Sequence, residues 1–109
     1  MALREYLDGR GRSPFGRWFA GLDREAAAEV TLALVRLEQG YRSRLKALGG
    51  GVVEYRIDFG PGDRVYFGRA DAGLIVLLGG GTKQRQSQDI RRAKRNWRDY
   101  RRSRPETWH

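Results

Sequence analysis

A chain of 109 residues can bury one hydrophobic core but not two, so residues 1–109 are expected to form a single domain. Lys and Arg number 22 against 13 Asp and Glu, a net charge of +9, and every cation except Lys46, Lys83 and Lys94 is an arginine. That balance calls for an anionic partner, nucleic acid first among them, because the guanidinium fork suits phosphate. With no cysteine and one histidine, at position 109, disulfides, thiolate zinc sites, cysteine nucleophiles and histidine-rich metal sites are excluded. No cofactor is expected, and the longest aliphatic run, residues 74–78, is too short to cross a bilayer, so a soluble cytoplasmic protein without membrane association is expected.

In chain order, residues 3–8 alternate loosely and read as a short strand ahead of Gly9-Arg10-Gly11-Arg12. Ser13 can cap a helix with Pro14 at its first position, leading into Phe15, Trp18 and Phe19 at helical spacing and closing at Gly21. Asp23 can cap a longer helix whose Ala26, Val30, Ala33, Leu34 and Leu37 make one stripe, with Gly40 as its stop. From residue 52 the period drops to 2: Val53, Tyr55, Ile57 and Phe59 share one face and Glu54, Arg56 and Asp58 the other. Gly60-Pro61-Gly62 turns the chain back into Arg64-Val65-Tyr66-Phe67, so Arg56, Arg64 and Tyr66 are expected in an outward row on one hairpin. Residues 74–78, apolar on both faces, read as the most buried strand.

After Gly79-Gly80-Gly81 an amphipathic helix is predicted from about Ser87, with Ile90, Ala93, Trp97 and Tyr100 as its seam, Trp97 being its core anchor. Residues 101–109, including Trp108 and His109, read as a flexible tail. Between Lys83 and Arg104 stand ten cations against only Asp89 and Asp99, which concentrates +8 of the net +9 in this segment and points to a phosphate-facing surface. Neither glycine cluster, 49–51 or 79–81, has the spacing of a nucleotide-binding P-loop; both read as places where backbone is approached closely.

The stretches KALGGGVVEYRIDFGPGDRVYF (46–67), LLGGGTKQRQSQDI (77–90) and AKRNW (93–97) resemble the HigB-like, addiction-module killer branch of the RelE/ParE toxin superfamily, and the likeness extends over residues 3–100. The resemblance implies an α+β, RelE-like fold: two N-terminal helices packed on a small curved antiparallel sheet, with a basic C-terminal helix. It also implies a cognate antitoxin, usually a helix-turn-helix protein through which the pair binds operator DNA. The implied activity is ribosome-dependent, metal-free endoribonuclease action on mRNA, an mRNA interferase that stops translation. The alternative within the superfamily is a ParE-like, non-enzymatic inhibitor of DNA gyrase.

Carried onto this chain, the resemblance sets Arg56, Arg64 and Lys83 in the active groove and Lys46 at a retained basic position. The arginines would neutralise the phosphorane-like transition state, while Lys83 or Lys46 moves a proton and Tyr66 donates one or stacks on a base. Asp89 is an alternative base. Arg85, Arg91, Arg92, Lys94, Arg95 and Arg98 would bind RNA. A basic nucleic-acid-binding module with no toxicity is a third reading.

Overall fold

The computed structural model describes residues 2–71 and 73–103. The elements run β1 (Ala2–Glu5), α1 (Pro14–Ala20), α2 (Arg24–Glu38), β2 (Leu45–Gly49), β3 (Val52–Arg56), β4 (Arg64–Arg69), β5 (Leu74–Gly81) and α3 (Gln86–Ser103), with a single 3-10 turn at Lys83–Arg85 before the last helix.

Local chemistry sets the helix starts. The Ser13 hydroxyl accepts the Gly16 amide at 2.8 Å and the Asp23 carboxylate accepts that of Ala26 at 2.8 Å, so each cap satisfies a donor that the first turn leaves without a partner. Residues 101–103, expected in a flexible tail, form the last turn of α3. The rest of that expectation, with Trp108 and His109, lies outside the described residues.

The chain is α+β, but the arrangement expected for it needs two corrections. The helices are not N-terminal, since β1 precedes them, and the sheet is mixed rather than antiparallel. Its order is β1-β5-β4-β3-β2, with β1 parallel to β5 in the register Ala2↔Leu74 to Glu5↔Leu77 and every other pair antiparallel. A loose alternation over a few residues marks a strand but carries no information about its partner or direction. Residues of β1 and just after it reach the cores on both faces of the sheet. Leu3 joins the core beneath α1 and α2, and Tyr6, just past the strand, joins the core beneath α3, where its hydroxyl donates to Asp99 at 2.6 Å.

The sheet is covered on both faces. On one, Phe15 of α1 and Val30, Ala33 and Leu37 of α2 pack against Tyr55, Val65, Phe67, Ile75 and Leu77. On the other, Ala93, Trp97 and Tyr100 of α3 pack against Val52, Tyr66, Val76 and Leu78. Strand β5 alternates between the two cores, as its unbroken apolar run predicts. Each fully buried Leu, Phe or Ile contributes roughly 1.5–3 kcal/mol.

The seam of α3 is narrow, so its largest side chain needs a flat surface. Gly68 of β4 supplies it: a Cβ there would lie 2.6 Å from Trp97 Cε3. In the turn between β2 and β3, Gly51 has φ +86°, and a Cβ would meet Trp97 Nε1 at 2.6 Å, so both backbone conformation and space demand glycine. No helix among the described residues is long and apolar enough to cross a membrane.

Candidate nucleic-acid interface

The strand register assembles two rows on the α3 side of the sheet. Lys46 pairs with Glu54 and Glu54 with Tyr66; two residues along, Arg56 pairs with Arg64. Directly opposed residues in an antiparallel ladder share a face. The sequence-predicted neighbours Arg56, Arg64 and Tyr66 are therefore brought together, with Lys46 at the sheet edge.

Of the row expected to face outward, Arg56 is exposed but Arg64 and Tyr66 are buried, because the start of α3 lies over them. Gln86 Nε2 donates to Glu54 Oε2 at 2.6 Å, and the same oxygen is 3.2 Å from Arg64 Nε. That contact is an ion pair rather than an aligned hydrogen bond, since Arg64 Nε has no hydrogen-bond partner among the described residues. Arg64 Nη1 donates to the Gly62 carbonyl. Arg64 is 7% exposed, Glu54 4% and Tyr66 0%. Arg64 is thus committed to protein groups, and no base can stack on Tyr66 in this arrangement. Two-residue periodicity identifies a face but not its cover, and the apolar seam of α3 found the better burial here.

Burial raises the Tyr66 phenol well above its usual range, and Glu54 and Asp89 push it further the same way. Its hydroxyl has no hydrogen-bond partner among the described residues, nor does Asp89 Oδ2. Burial likewise raises the Asp89 carboxyl, against the opposing pull of Arg85 and Arg92. Glu54 is the residue sequence reasoning missed; it stood in the outward set with Arg56, and an acid two residues before Arg56 on the same face was its only signal.

Around this buried cluster the remaining cations are accessible. Arg56, Lys46 and Lys83 are exposed. Lys83 sits in the 3-10 turn with its Cβ 4.0 Å from the point a Cβ on Gly62 would occupy, and Arg64 Nη1 lies 3.2 Å from the same point, so the 60–62 turn, Arg64 and Lys83 form one neighbourhood.

The six RNA-binding candidates do not share a face. At 100° per residue from the buried Ala93, Arg92 lies on the flank of α3 toward β1, whereas Arg91, Arg95 and Arg98 lie on its outer side, and Arg85 precedes the helix in the 3-10 turn. Lys94 is on the opposite flank, its Nζ reaching toward the Gly49 backbone.

No known protein-family profile matches the chain. A Haemophilus influenzae protein described as uncharacterized is 37% identical over 81 residues, which cover 73% of this chain and 82% of that protein. At that identity and coverage, this chain belongs to the same family as the Haemophilus influenzae protein.

Proposed function

We propose that this protein is the toxin of a type II toxin–antitoxin module and acts as a ribosome-dependent mRNA endoribonuclease in the cytoplasm, held in check by a cognate antitoxin. The observation that carries this reading is the opposed pair Arg56 and Arg64 beside Lys83, at the border of a strongly cationic helix. In the proposed step the RNA 2′-oxygen attacks the adjacent phosphorus in line. Its proton passes to Lys83 or Lys46 in the neutral amine form, the bond to the 5′-oxygen breaks to leave a 2′,3′-cyclic phosphate, and the departing oxygen takes a proton from water. Arg56, which is exposed, takes the charge developing on the phosphoryl oxygens, together with whichever of Lys83 and Lys46 does not take the proton. Arg64 acts as a positioning residue, holding the Gly62 carbonyl and with it the turn beside Lys83.

Primer-extension mapping of a defined mRNA in a purified translation system, with and without ribosomes, tests this. Codon-phased cuts that require ribosomes and fall about a hundredfold in Arg56→Ala or Lys83→Ala, equivalent to ~3 kcal/mol, are the expected result. An intact message at growth-arresting doses would overturn it.

One observation favours the gyrase-inhibitor reading: Arg64 is occupied and Tyr66 sealed, so two groups expected to meet RNA have no access to it. That reading requires inhibition of gyrase supercoiling, unaffected by Arg56→Ala.

A further inference from the structure

Strand β1 accompanies β5 only as far as Glu5↔Leu77, so residues 78–81 have no strand on that side. The chain turns away at Asp8, whose carboxylate accepts the Arg10 and Arg12 amides at 2.9 and 3.0 Å, and enters α1. What remains between α1, the end of β5 and α3 is a cleft of about 740 Å³, a volume suited to a ligand of nucleotide size.

Four guanidinium groups line it: Arg17 from α1, and Arg85, Arg92 and Arg95 from the 3-10 turn and α3. All four are exposed, and none is ion-paired with a carboxylate among the described residues. Arg85 Nη2 donates to the neutral Gln88 Oε1 at 3.2 Å, which leaves its charge in place. Cations gathered around a concavity repel one another, and a bound anion relieves that repulsion. The two carboxylates at the cleft, Asp8 and Asp89, offset only part of this charge, since four guanidinium groups face them. Asp8 is engaged by backbone amides, and Asp89 lies against Gly81 with Oδ2 buried. The wall opposite α3 is aromatic, because the Trp18 ring rests on Gly80 so closely that no side chain fits between them. Asn96 is fixed by donation to the Leu78 carbonyl at 3.1 Å.

We infer that this cleft binds a phosphorylated nucleotide unit, the arginines holding its phosphate and Trp18 meeting its base. The site lies on the opposite flank of α3 from Lys94 and the β2–β3 turn. It does not depend on the nuclease reading, since binding here and cleavage are measured separately. The unit is either a free nucleotide or part of an RNA strand, and two probes separate these sources.

The test is an NMR titration of the full chain with adenosine monophosphate and, separately, with a single-stranded RNA tetramer. It follows the Trp18 indole, the amides of residues 79–81 and the Asn96 side chain. Saturable shifts confined to these groups are expected, and the probe that binds at lower concentration identifies the source. Arg17→Ala and Arg92→Ala should each weaken binding about tenfold, whereas Arg24→Ala, outside the cleft, should weaken it less than about twofold. The decisive comparison is Arg17, which belongs to a helix distant in sequence from the basic C-terminal segment. The inference is overturned if neither probe shifts these groups, if the shifts spread over the outer face of α3, or if Arg17→Ala weakens binding no more than Arg24→Ala.

Discussion

Arg64 Nε lies 3.2 Å from Glu54 Oε2, with both side chains under a tenth exposed, so the cation that sequence reasoning assigns to substrate is paired inside the protein. Removing one partner of such a pair leaves the other buried and uncompensated. Glu54→Ala should therefore destabilise the fold by about 3 kcal/mol in urea unfolding, while Glu54→Leu combined with Arg64→Met should recover most of that loss. A Glu54→Ala protein as stable as wild type would show that the pair contributes nothing to the fold.

Tyr66 carries a buried hydroxyl without a hydrogen-bond partner among the described residues. Its removal costs no protein–protein hydrogen bond and relieves a desolvated polar group, so Tyr66→Phe should be within about 1 kcal/mol of wild type or more stable. RNA cleavage should persist in this variant. Lost cleavage at unchanged thermal stability would return the phenol to the chemistry.

Gly68 of β4 and Gly79 of β5 should respond differently to alanine. A Cβ at Gly68 meets the Trp97 ring, whereas at Gly79 nothing lies within 4 Å. Thermal melts should show Gly68→Ala losing about 2 kcal/mol, and Gly79→Ala unchanged within about 0.5 kcal/mol or slightly stabilised through the unfolded chain. Equal losses would mean that Trp97 does not press on the sheet at Gly68.

The Asp89 carboxyl is held above the usual aspartate range by burial. A folded-state pKa above the unfolded one means that the native state binds the proton more tightly. The associated stability is complete below the unfolded pKa and is lost as pH rises through the folded one. Denaturation midpoints of the wild type should fall across that window, and those of Asp89→Asn should fall less. Asp63 is raised in the same direction, by burial first and by Asp23 second, so part of the decline should survive in the variant. Superimposable pH profiles would contradict the shift at Asp89.

What the sequence determined by itself was local. Ser13 and Asp23 start their helices because a cap requires only a side chain and an amide three residues on. The both-face burial of residues 75–78 and the Ala93–Trp97–Tyr100 seam were legible because period and composition act within a few turns or strand residues. The neighbourhood of Arg56 and Arg64 followed from one short hairpin. Tertiary structure decided the rest: the parallel pairing of β1, the closing of α3 over the row that includes Arg64 and Tyr66, the choice of Glu54 as partner, and the meeting of Arg17 with α3 across a cleft. These depend on which distant segment covers an apolar face with the least polar surface left unpaired. That free energy belongs to the assembled chain and is written in no short window of residues.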